Sequence, residues 1–166
     1  MKKISVVLVL LVGGVWGSIC HSGGELGNAI IKKFYLVGVE LTYPKEWSNL
    51  EADTIVSLQS PTSLEVPQND AHYNVVKLEL SHIQTLEDLK KYLEEKDSSR
   101  TWRLSGHKGA QGFQGVPKEV QNLEYRMMHE FYLTAPGTVT QITYQLTAAH
   151  FTEVLAIHQS LNWLAP

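Results

Sequence analysis

With 166 residues, 14 basic and 17 acidic side chains and a formal charge of −3, the chain is about one domain long and mildly acidic. It has no run of Lys or Arg, which argues against nucleic acid as a partner. The single cysteine, Cys20, excludes an internal disulfide framework.

The first stretch stands apart from the rest. Lys2 and Lys3 form a basic start, Ile4 to Val12 is unbroken apolar sequence, and Gly13, Gly14, Gly17 and Ser18 supply small residues. That order is a secretory signal over residues 1–20, and it implies export to the periplasm or cell envelope. A membrane-spanning helix would need about 20 apolar residues, whereas polar residues return here by Ser18. Cys20 stands where a bacterial lipoprotein carries its lipid, although Ile19 departs from the usual lipobox. A soluble exported form and a lipid anchor at Cys20 both stay open. Without Lys2 and Lys3 the remainder stands at −5, and about 145 residues suffice for a core without covalent staples.

Residues 21–31, with Gly23, Gly24 and Gly27, read as a tether, and one domain is expected over 32–166. Lys33 to Tyr43 places Val37, Val39, Leu41 and Tyr43 on one parity and predicts a single strand, ended by Pro44-Lys45-Glu46-Trp47. Thr54 to Ser60 is the next strand candidate, and Pro61 to Asp70 reads as an exposed loop. Tyr73 to Ser81 alternates Val76, Leu78 and Leu80 with Lys77 and Glu79, again a strand. Thr85 is a good N-cap, followed by Glu87 and Asp88 and by Leu86, Leu89, Tyr92 and Leu93 at helical spacing. Trp102 to Leu104 predicts a short strand. Gly106, Gly109, Gly112 and Gly115 read as a mobile loop from Ser105 to Gly115, since no phosphate-binding spacing leads into a helix.

The strongest pattern is Leu123 to Leu133. Its odd positions, Met127, His129 and Phe131 among them, are expected to face the core, and Glu124 and Glu130 the solvent. Pro136-Gly137 then makes a hairpin turn into Val139 to Ala149. From about His150, Val154, Leu155, Ile157, His158, Leu161 and Trp163 predict an amphipathic helix running to Trp163. Antiparallel pairs with two segregated helices make the fold class α+β.

Several of these pieces together resemble the PsbP-like superfamily, which includes PsbP proteins and DcrB-like bacterial envelope proteins. They are Val39-Glu40-Leu41-Thr42-Tyr43-Pro44-Lys45-Glu46-Trp47, the strand ending in Ser60-Pro61, Tyr73 to Leu80, the Thr85 to Leu89 helix start, the long hairpin, and His158 to Trp163. The resemblance implies a central antiparallel sheet with helices packed on its faces. It would account for Met128 and Tyr132 on the otherwise polar side of the long strand. It also implies a non-catalytic task, binding or accessory work on an envelope or membrane-associated protein. No functional residue is carried over by it.

The chemistry-bearing residues do not assemble into a motif. The seven histidines contain no i, i+4 pair, no serine sits in a nucleophile elbow, and Glu87-Asp88 and Glu94-Glu95 read as solvated helix positions. No catalytic, cofactor-binding or metal residue is therefore expected. His129 is expected to be buried with a hydrogen-bond partner, and Trp47, Trp102 and Trp163 to anchor the core or its edge. Two other classes remain alternatives: a small periplasmic hydrolase or isomerase, and a small-ligand or metal carrier. A pocket where titratable groups converge would favour the enzyme, and a flat, polar sheet surface with one exposed aromatic the binding module.

Overall fold

The computed structural model describes residues 28–61, 70–119 and 126–165. Within them the chain runs β1 (Ala29–Phe34), β2 (Val39–Pro44), β3 (Ser48–Ala52), β4 (Ile55–Gln59), β5 (His72–Glu79), α1 (Leu86–Lys96), β6 (Arg100–His107), β7 (Ala110–Pro117), β8 (Arg126–Ala135), β9 (Thr138–Leu146), α2 (Phe151–Ser160) and β10 (Asn162–Trp163). Seven strands form one antiparallel sheet in the order β3-β4-β5-β9-β8-β7-β6, and β1-β2-β10 form a smaller one. The expected signal with Cys20, most of the tether, most of the Pro61 to Asp70 loop and Glu124 lie outside the described residues. No helix among the described residues is long and apolar enough to cross a membrane.

The large sheet is covered on both faces. On one, Tyr73, Val75, Tyr132, Ile142 and Tyr144 pack against Val39, Leu41 and Tyr43 of β2, and against Val154 and Ile157 of α2. On the other, Trp102, Phe113, Phe131 and Val139 pack against Leu89 and Leu93 of α1. Successive side chains of a strand point to opposite faces, so Phe131 and Tyr132 are both buried. This overturns the one-sided reading of β8. Glu130 is 2% exposed and Met127 36% exposed: the strand's later half is buried on both faces, and Met127 belongs to neither core cluster. His129 is half-buried rather than sealed in.

Local rules explain most element boundaries. Thr85 caps α1: its Oγ1 accepts the Asp88 N–H (3.1 Å) and Asp88 Oδ2 accepts the Thr85 N–H (2.9 Å), a capping box. The expected strand from Lys33 to Tyr43 is two strands, broken by a turn at residues 35–38 where Gly38 takes φ +76° and its N–H reaches Phe34 O (2.9 Å). The Pro136-Gly137 turn holds, with Gly137 at φ +79° and Ala135 paired with Thr138.

The glycine-rich stretch is not a loop. Lys108 and Gly109 take φ +44° and +91°, the tight turn of the β6–β7 hairpin. A methyl group at Gly112 would strike the Phe131 carbonyl oxygen, and one at Gly115 would lie 2.7 Å from the Trp102 ring. These two glycines mark close approach rather than mobility.

Candidate functional site

Two features stand out: a buried polar network, and a groove beside it. The network begins at Glu130, whose position on β8 turns it toward α2. Its Oε2 accepts the Tyr132 hydroxyl (2.7 Å), and its Oε1 accepts the Tyr144 hydroxyl (3.1 Å) and the Gln114 amide (3.0 Å). His158 Nε2 lies 3.4 Å from Oε2, and the other ring nitrogen lies 3.0 Å from the Tyr73 hydroxyl. The imidazole also stacks on Tyr144, ring centroids 4.8 Å apart. A carboxylate only accepts hydrogen bonds and offers about four lone-pair sites; donors from β7, β8 and β9 occupy three of them, with the His158 imidazole of α2 beside the fourth.

The geometry would count His158 and Glu130 as an ion pair only if the imidazole were charged. Burial, the largest influence, holds the His158 pKa below its ordinary value, with His107 and Lys108 pushing the same way and Glu130 opposing. That direction favours the neutral ring, whose Nδ1 can then accept from the Tyr73 hydroxyl while Nε2 stands 3.4 Å from the Glu130 carboxylate. Burial likewise raises the phenol pKa values of Tyr73 and Tyr132, reinforced in both by the Glu130 charge. For His129 the shift is downward, from burial first and then from Arg100.

His107, at the end of β6, carries the network to the C-terminal segment. Its Nε2 contacts Leu161 O (3.0 Å), its carbonyl accepts the Trp163 indole N–H (2.8 Å), and its ring lies 5.0 Å from that of His158. Trp163 packs on Tyr132 (5.5 Å between centroids) and presents its other side to the groove.

The groove has a volume of about 940 Å³. It lies where the β1–β2 turn, the β6–β7 turn, the β8–β9 turn and the segment after β10 meet. Val37, Trp163 and Leu164 give it apolar walls, and Thr138 and Thr140 of β9 a polar floor. At its lip Tyr35 is 75% exposed, and the adjacent Leu36 is 54% exposed. Neither Glu130 nor His158 lines it.

Of the residues weighed in the sequence, Trp47 and Trp102 are core and Trp163 is its edge. Glu87, Glu94 and Glu95 are exposed, as expected. His107 and His158 come together, but among the described residues no three of His, Cys, Asp or Glu are placed to hold a metal ion. Sequence reading missed the network itself. The usable signals were Glu130 and Tyr132 on one parity, and His158 falling on the apolar stripe of α2 beside Val154 and Ile157.

No protein-family model and no curated protein matches the sequence. Among solved structures, cyanobacterial PsbP (CyanoP) from Synechocystis sp. PCC 6803 is similar at a TM-score of 0.51 and 13% identity, over 82% of this chain and 92% of that one. A protein from Bacteroides thetaiotaomicron VPI-5482 aligns at a TM-score of 0.47 and 11% identity, over 83% of this chain and 48% of that one. Such identities speak to fold and leave function to the site. The antiparallel sheet held between α1 and α2, matched along nearly the whole of the CyanoP chain, makes this a PsbP-like α+β fold.

Proposed function

We propose that the protein is a non-catalytic binding or accessory module, exported to the cell envelope, that recognises an envelope or membrane-associated protein through the groove and its lip. The observation that carries this reading is the pair Tyr35 and Leu36, large apolar side chains left in solvent at the edge of a concave surface. Aromatic anchors beside a pocket are the usual centre of a protein interface. Titratable groups do converge, at Glu130 and His158, but each is held by tyrosine hydroxyls inside the core and neither lines the groove. Export rests on the basic, apolar and small-residue order of residues 1–20.

The groove's volume favours one second reading, a small-ligand carrier, since ligand pockets span roughly 300–1,000 Å³. A photo-crosslinking residue at position 35 tests the first reading, with one at Ser57, on β4 of the large sheet, as control. The expected result is a discrete adduct with a membrane-fraction protein from position 35 alone. Equal labelling from both positions, or none, would remove the proposal.

A further inference from the structure

Resting on that reading of the groove, we infer that its occupant is an extended segment of the partner protein that carries carboxylate and apolar side chains together. Charge is the first argument. The chain as a whole has more acidic than basic residues. Yet among the described residues the groove lining contains two cations, Lys77 and Lys108, and no carboxylate. Lys77 is paired with Glu79 (2.9 Å), which does not line the groove. Lys108 donates to the neutral Asn162 amide (2.9 Å), so no described carboxylate is bound to it.

The turn geometry fixes where that charge stands. Lys108 holds φ +44° beside Gly109 at φ +91° in the β6–β7 turn, and its ammonium, tied to Asn162, lines the groove. The walls supply the apolar half of the recognition. Val37 is buried at the base, and Trp163 is held in place by its indole hydrogen bond to His107. A side chain entering there meets a preformed surface.

The lip decides between a small amphiphile and a polypeptide. Leu36 is exposed and does not line the groove, whereas Tyr35 both lines it and stands in solvent. A small molecule confined to the groove would leave Leu36 wet. A chain segment crossing the lip would cover it, and apolar cover is the dominant favourable term in association.

Panning a phage-displayed library of random heptapeptides on the intact protein tests this. The expected consensus mixes Asp or Glu with apolar residues. Selected peptides should lose affinity about fivefold on Lys108→Glu, an exposed charge contact reversed, and should weaken as salt rises. Panning on the Lys108→Glu protein should shift the consensus toward Lys and Arg. Circular dichroism checks that the variant is folded, and Lys108→Gln serves as the milder substitution.

A neutral or basic consensus on the unaltered protein overturns the inference. So does enrichment that is indifferent to both Lys108 variants. Decanoate binding that quenches Trp163, with no peptide enriched, would make the groove a small-amphiphile site and also overturn it. If peptides fail while the position-35 adduct still forms, only the charge preference falls. If both fail, the groove is not the recognition site.

Discussion

Replacing Glu130 with leucine is the sharpest test of how the core is held together. The substitution keeps the bulk but withdraws the acceptor shared by Gln114, Tyr132 and Tyr144, beside which His158 Nε2 stands at 3.4 Å. A buried donor left without a partner costs about 1–3 kcal/mol. Hydroxyls can reorient, and removing a charge from the interior recovers part of its desolvation cost. The net loss should therefore be about 3–5 kcal/mol rather than the full sum. That is a large share of the 5–15 kcal/mol typical of a domain and should lower Tm by roughly 10 °C. Glu130→Gln retains one carbonyl acceptor and should cost only about 1–2 kcal/mol. Urea unfolding at pH 7.5, followed by tryptophan fluorescence, measures both. A Glu130→Leu loss under about 1 kcal/mol would show that the three donors do not depend on the carboxylate.

The remaining predictions concern pH and local geometry. Burial lowers the His158 pKa in the fold, so the unfolded chain takes up protons first as pH falls. Stability should be complete above about pH 6.5 and decline below it, by at most about 1.4 kcal/mol per pH unit for this group. His158→Gln should flatten that slope in denaturant titrations, and an unchanged slope would refute the assignment. At the alkaline end, the raised phenol pKa values of Tyr73 and Tyr132 predict stability lost as pH rises past about 10. Ultraviolet titration should then show those phenols ionising only with unfolding. Gly112→Ala should abolish folding or yield an insoluble protein, because its methyl meets the backbone of β8. Thr85→Ala, which deletes the capping box of α1, should cost about 1 kcal/mol in urea unfolding.

The α+β class, the long hairpin, the capped helix and the terminal helix as far as Ser160 were legible because each is written in local chemistry: period-two alternation, Pro136-Gly137, the Thr85 cap, and the apolar stripe of α2. Asn162 and Trp163, expected to continue that helix, instead pair with β2, a partner outside their own segment. What failed was parity. In β8 the even positions carry Glu130 and Tyr132 and read as solvent-facing, yet those side chains satisfy each other (2.7 Å) and are buried together. A polar side chain can face a core when its partner arrives from another element, and single-strand alternation holds no record of that partner. Gly112 and Gly115 misled for the same reason. Their neighbours, Phe131 and Trp102, belong to adjacent strands, and nothing local separates a glycine of close approach from one of a loop. The groove was equally hidden, since three turns and the segment after β10 build it. Its lip residues Tyr35 and Leu36 were absorbed into an expected continuous strand.

The network and the groove meet at Trp163. Were Glu130 and His158 a catalytic pair, they would need access to a substrate. Instead each is occupied by protein groups, and the network extends through His107 to the main chain of Leu161 and the indole of Trp163. Through these contacts a two-residue strand, β10, and the segment after it are fixed against β6, although β10 pairs with only Glu40 and Val39 of β2. A groove wall made of so short a strand would fray without such anchoring. The buried carboxylate is then best understood through what it holds. It fastens α2 to the sheet, and α2 in turn positions the C-terminal wall against which a partner would dock. On that account Glu130→Gln should leave crosslinking from position 35 intact wherever the variant stays folded. Loss of the adduct in a folded variant, with no change in the groove's geometry, would return the carboxylate to the centre of function.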